Sequence, residues 1–414
     1  MSRFPRRRPL HRRPVLRGPV FRGPVFRGPV AAVALLAAAL VLSACATGGS
    51  GAHGGADAAE TATVAPRVPL SELTPLADPR AYEGPSTAVL AQAQIDPVAE
   101  DPPQSLPVTV TSHDLTGARE VTVTDTSRVI AMDLSGSLAA TVAGLGFADT
   151  LVGRDISTTF PGSEDLPVIT SNGHSVNAEA VIATRPTLVV TDGSIGPTDV
   201  VQQLRDVGIT VVFVEESSSY AGAAQLARDV AGVFGAPAAG DLLAERIASQ
   251  VERTTADIAR LAPANAADRP RIVFLYLRGS AGVYYLFGEE SGADQLISAL
   301  GGVDVAGELG WRGMQPLTDE AMVAADPDLI LVMTDGLASV GGVDALLADK
   351  PAIALTSAGQ HRRFVDMADG QILSFGPRSA DVLDALARAI YAPDAEAAAG
   401  GADAGAAAPR EGAR

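Results

Sequence analysis

Apolar residues recur along this chain with two different spacings. Runs at Val129-Ile130, Leu188-Val189-Val190, Ile209–Val214, Ile272-Val273 and Leu329–Val332 are near-continuous and rich in β-branched residues. Runs of this kind predict strands buried on both faces, as in a parallel sheet covered by helices. Elsewhere Leu243, Ile247, Val251, Thr254, Ile258 and Leu261 fall at three- and four-residue steps, which predicts one long helix over 239–261, stopped by Pro263. Asp241 is its expected N-cap, with Glu245 in the next turn. At 1.5 Å per residue such a helix spans roughly 33 Å, the width of a small domain.

The strand pattern occurs twice. Ser127–Ser137 aligns with Pro270–Ser280 at an offset of 143, and Asn177–Val190 aligns with Thr318–Leu331 at an offset of 141. Near-equal offsets in two separate segments mark an internal repeat. In each half a strand is followed by a Gly-Ser turn and a helix. A second helix begins near Glu179 or Glu320 and stops before Pro186 or Pro327, because proline disfavours α conformation in the residue before it. A strand follows at once, then a helix over 200–207 or 343–348. Alternating strands and helices predict an α/β chain of two doubly wound lobes joined by a single long backbone helix. The lobes are expected over 105–238 and 264–392, with the linking helix over 239–263.

The ends of the chain read differently. Residues 1–44 hold nine Arg and no acid, and lead through eleven apolar residues, Ala31–Val41, to Leu42-Ser43-Ala44-Cys45. Eleven residues suit a signal peptide and are too few to span a bilayer. The small residues before the chain's only cysteine resemble the bacterial lipobox, which implies cleavage before Cys45 and lipidation on it. Residues 45–104 then form a Gly-rich tether and a Pro- and Ala-rich arm, and 393–414 a disordered Ala/Gly tail. The formal charge of −17 comprises 31 basic and 48 acidic groups. Removing nine Arg leaves 22 against 48, or −26, a body unsuited to nucleic acid. A single cysteine excludes an internal disulfide and a Cys-based zinc site.

Two motifs carry candidate chemistry. The loop Ser171-Asn172-Gly173-His174-Ser175-Val176-Asn177 offers an imidazole, the commonest protein metal ligand. Tyr276-Leu277-Arg278-Gly279 closes the first strand of the second lobe, and period two puts Tyr276 and Arg278 on one side of the chain. A phenol binds metal well only as phenolate, and a nearby guanidinium favours that anion. Read alone, His174 serves equally as a turn or helix cap, and Tyr276 as a core tyrosine. The repeat aligns Tyr276 with Asp133, so the matched positions differ in chemistry.

The two-lobe layout resembles the helical-backbone class of ABC-importer binding proteins, over roughly 105–392. Within it, Gly173-His174-Ser175-Val176-Asn177-Ala178-Glu179 and Tyr276-Leu277-Arg278-Gly279 resemble the haem-binding lipoproteins of the HmuT group. Gly282–Gly288, Gly301–Val305 and Leu373–Arg378 add to that likeness. The resemblance implies His174 and Tyr276 as axial ligands of a transported haem b, with Arg278 bonding Tyr276. It implies Glu179 and Glu320 as a matched pair docking on an ABC permease and its ATPase, and possible surface donors of haem. It also implies a monomer held by lipid on the outer face of a plasma membrane. The near-absence of lysine suggests a GC-rich genome, and the resemblance implies a Gram-positive source. Tyr284 and Trp311 are candidates for packing on the porphyrin, while core packing accounts equally for Tyr285 and Phe287. Met333 is a candidate neighbour of the iron, and Arg154 a candidate partner of a propionate. Other readings are a ferric-siderophore or cobalamin receptor on the same fold, and a haem relay without a permease. Against a secreted enzyme stands the lack of Gly-x-Ser-x-Gly, phosphate-loop and His-Glu-x-x-His motifs.

Overall fold

The computed structural model describes residues 67–395 except Leu115, Asn172, Ser217, Ser280 and Ala281; the signal segment, Cys45, the Gly-rich tether and the tail from 396 lie outside the described residues. The first lobe is built on a four-stranded parallel sheet in the order Leu151–Arg154, Val129–Met132, Leu188–Thr191, Thr210–Phe213. Alternate residues of each run go to opposite faces. Val129, Ala131, Leu188, Val190 and Val212 join one apolar cluster, and Ile130, Met132, Val189, Val211 and Phe213 join another. Both faces are covered, which is why these strands read as continuous apolar runs.

The second lobe follows the same rule with a different edge. Phe364–Met367, Leu329–Met333 and Arg271–Arg278 are parallel neighbours. Val283–Phe287 and then Met314–Pro316 continue the sheet antiparallel, so it is mixed, with an antiparallel edge on the parallel sheet that the sequence predicts. At the other edge the arm supplies a parallel strand, Ser86–Ala88. The arm is thus a structural part of the second lobe and more than a covering.

The linking helix runs Pro237–Leu261, 25 residues, with Pro237 in its first turn. It starts two residues before the expected 239 because proline's fixed φ suits the first helical turn. Asp241 is therefore inside the helix rather than its cap, and accepts from Arg228 at 3.1 Å. Leu243, Ile247, Val251, Ile258 and Leu261 are buried as the spacing predicts. Each such side chain stabilises the fold by roughly 1.5–3 kcal/mol when fully buried. One apolar cluster runs from Val129 and Leu138 through Leu243, Ile247 and Ile258 to Phe274 and Leu331, so both lobes share it.

The repeat shows at its helices, of six and seven residues. Ala178–Ala183 is capped by Asn177, whose side chain accepts from Ala180 N, and Asp319–Ala325 by Thr318, which accepts from Ala321 N. Each helix is followed by a left-handed residue, Arg185 at φ 51° and Asp326 at φ 36°. Proline stands next in both.

Candidate functional site

In open α/β sheets the crevice lies beyond the carboxyl ends of the strands. On the first lobe three neighbouring strands each end in an aspartate: Asp133 after Met132, Asp155 after Arg154, and Asp192 after Thr191. Asp133 is buried and accepts from Ser135 Oγ, from Ser137 N and Oγ, and from Leu138 N. It thereby fixes the start of the helix Ser137–Leu145. Asp155 accepts from Asp133 N at 3.0 Å and from Thr158 N and Oγ1. Burial, then the Asp133 charge, pushes both Asp155 and Asp192 up to about 7. The loops leaving these strand ends expose apolar side chains, Leu134 at 49% and Ile156 at 48%. That makes an apolar rim above a buried polar layer, a pairing common in ligand sites.

His174 stands on the turn of a small hairpin, Thr170–Ser171 with Ser175–Val176, in which Gly173 takes a φ of 87°. Its Nδ1 is buried and has no partner among the described residues. Burial and then Arg278 lower its pKa, while Asp369 and Asp133 act the other way. The imidazole is therefore favoured neutral, the form that ligates metals. Arg278 and Asp369 belong to the second lobe, so charges of that lobe act on His174 as well as those of its own.

Tyr276, in the second lobe, is half-buried. Its ring stacks on Phe287 with centroids 5.7 Å apart. The Arg278 guanidinium carbon lies 4.5 Å from the centre of the same ring. Arg278 was expected to bond the tyrosine; its contact is instead with the ring face. Its donors go to Leu277 O at 2.7 Å, Asp369 Oδ2 at 2.8 Å and Met333 Sδ at 3.9 Å. Met333, at the end of its strand, thus reaches the same corner as Tyr276. Gly336 closes that corner, since a Cβ there would lie 3.0 Å from Arg278 Nη1.

The aromatic expectations are corrected by strand register. Tyr276 pairs with Tyr285, and Leu277 with Tyr284. Tyr285 and Phe287 therefore share the face of Tyr276, and Tyr284 is on the other. There Tyr284 and Trp311 pack with Val273, Leu275 and Leu277. Lys350 Nζ sits 4.1 Å from the centre of the Tyr284 ring, and Tyr284 Oη donates to Asp349 at 3.4 Å. Neither Tyr284 nor Trp311 shares the wall formed by Tyr276.

Arg154 ends its strand beside Asp155. Its Nη1 donates to the carbonyls of Asp155 and Thr158, its buried Nε has no partner, and no ion pair joins it to a carboxylate among the described residues. Glu179 and Glu320 are both exposed in the first turns of the repeated helices. Among the described residues no group of three or more His, Cys, Asp or Glu is arranged to hold a metal ion. Sequence reasoning missed Asp369, Leu134 and Ile156; of these, only the two apolar residues carried a signal, each following an aspartate at a strand end.

The chain matches the periplasmic binding protein family over residues 133–369. It is 27% identical over 304 residues to the uncharacterized ABC transporter substrate-binding lipoprotein YvrC of Bacillus subtilis (strain 168), spanning 73% of this chain and 90% of that one. Among solved structures it is similar to the haem-binding protein HmuT, at 39% identity and a TM-score of 0.71, covering 76% of this chain and 99% of the other. Further HmuT structures carry alanine at a histidine, at a tyrosine, and at the arginine two positions after that tyrosine. The periplasmic haem-binding protein RhuT from Roseiflexus sp. RS-1 is similar at 34% identity and a TM-score of 0.59, covering 66% and 99%.

Proposed function

The chain belongs to the periplasmic binding protein family, whose members bind substrates for transport rather than transform them, and from that premise we propose that it captures haem b between its lobes and delivers it to an ABC permease. The observation that carries the reading is that His174 of the first lobe, whose buried Nδ1 has no partner among the described residues, lies within electrostatic reach of Arg278, which rests on the Tyr276 ring. It is supported by the relative HmuT, in which a histidine, a tyrosine and an arginine two positions on have been replaced. His174 and Tyr276 are the proposed iron ligands. The imidazole is favoured neutral, and the Arg278 guanidinium rests against the face of the Tyr276 ring. Met333 and Arg278 form the corner beside Tyr276, Leu134 and Ile156 offer apolar contact, and Arg154 is the proposed propionate partner. Leaving Tyr284 out of the ligand set follows from its strand face, and leaving out Trp311 follows from its packing on the same cluster.

The same reading makes Cys45 the lipid anchor, on the outer face of the plasma membrane, and Glu179 with Glu320 the docking pair of a monomer. The test is an absorbance titration of residues 46–414 with hemin. We expect a one-to-one Soret shift, and changed spectra with binding weakened on the order of 10–100-fold in His174→Ala and Tyr276→Ala. No shift with the unaltered chain overturns the haem reading. A normal spectrum in both variants overturns the ligand assignment alone.

A further inference from the structure

A cavity of about 280 Å³ lies where the arm, the linking helix and the start of the last helix meet. None of the cleft residues lines it. Arg378 is its buried wall. The residue is only 3% exposed, yet its Nε and Nη1 have no hydrogen-bond partner and no ion pair reaches it among the described residues. Buried charged groups are normally paired, so a guanidinium in this state calls for a counter-ion. Arg378 is also the residue from which the 13-residue helix Ser379–Tyr391 begins, and no side chain caps that helix. The positive end of a helix and an unpaired guanidinium thus coincide. A second guanidinium, Arg246, stands in the wall and donates to the carbonyls of Asp96 and Pro97, tying the arm to the linking helix. Two carboxylates, Asp96 and Asp381, also line the cavity; Asp381, in the first turn of the same helix, is exposed as a residue, but its carboxylate is partly desolvated and within electrostatic reach of Arg378 without an ion pair to it. Asp96 is engaged by Gln92.

We propose that this cavity is an anion site, taking one small oxyanion, a phosphate or a carboxylate, on Arg378 and the start of the last helix. Its occupant would sit against three segments that hold the lobes together. Pro377, next to Arg378, packs on Gly144 of the first lobe, where an added Cβ would lie 2.9 Å from its ring. Binding should therefore raise the stability of the fold by mass action. The proposal is independent of the haem reading.

The test is thermal unfolding and calorimetric titration of the full chain with inorganic phosphate, sulfate and citrate, at constant ionic strength. Saturable one-site binding with a rising midpoint is expected. Arg378→Gln should weaken it on the order of tenfold or more while leaving the circular dichroism and the hemin titration unchanged. Asp381→Asn, which removes a nearby charge, should tighten it. Preference among the three ions separates phosphate from carboxylate chemistry. Lack of saturable binding by any of them overturns the proposal, as does equal binding by Arg378→Gln. So does a destabilised Asp381→Asn that binds no anion, which would make Asp381 the counter-ion in solution.

Discussion

Arg278 is held from two sides. Its carbon rests 4.5 Å from the centre of the Tyr276 ring, and Asp369 accepts from its Nη2 at 2.8 Å while also accepting from Asp335 N. Asp369 therefore positions the guanidinium. Asp369→Asn should loosen Arg278 and, on the proposed function, change the hemin spectrum and weaken binding several-fold, in the range of lost supporting contacts, about 10-fold. Asp369→Glu should restore most of both. A variant with the spectrum and affinity of the unaltered chain would show that Tyr276 and Gly336 suffice to hold Arg278. His174, Tyr276 and Arg278 were legible in the sequence because motif and strand period are local. Asp369 was not, because 91 residues separate it from Arg278 and only parallel pairing brings them together. Tyr284 was misplaced for a related reason. Two adjacent tyrosines must point to opposite faces, and which one joins Tyr276 depends on hairpin register.

At the level of elements, the repeated short helices are the clearest gain from sequence. Their caps, their exposed Glu and their following prolines all recur 141 positions apart. The antiparallel strands Val283–Phe287 and Met314–Pro316 and the arm strand Ser86–Ala88 escaped notice. They have no counterpart in the first half, so the repeat could not reveal them. Matched acids on matched helices suit a partner with two-fold symmetry. Glu179→Arg or Glu320→Arg should each impair permease-dependent haem uptake, and the double variant should abolish it, with hemin binding in solution unchanged. The cost to folding should be small, about 0.3–1 kcal/mol for a basic residue in place of an acid in a first turn. Normal uptake by the double variant would refute docking while leaving the haem reading intact.

The whole molecule combines a shared apolar core with a buried acidic layer at the first lobe's strand ends. Continuity of that core from Val129 to Leu331 through the linking helix implies small lobe movement. The acidic layer sets how stability follows pH. Asp155 and Asp192 are pushed from 3.8 up to about 7, by burial first and by Asp133 second. Between those limits the folded chain holds more protons than the unfolded one. Stability contributed by these groups is therefore greatest at low pH and falls as pH rises, by at most about 1.4 kcal/mol per pH unit for each group. Above about 7 both states are ionised and the slope from these groups vanishes. Asp192→Asn isolates one of them, because Ser194 N and Oγ both donate to Asp192 Oδ1 and an amide oxygen can replace it. Asp155→Asn is less clean, since both its oxygens accept from N–H or O–H donors. Urea unfolding across about pH 5 to 8 should show Asp192→Asn with a flatter slope than the unaltered chain, and with greater stability at the upper end. Identical slopes would mean that Asp192 is already ionised throughout this range, its charge met by Ser194 and solvent despite the neighbouring Asp133.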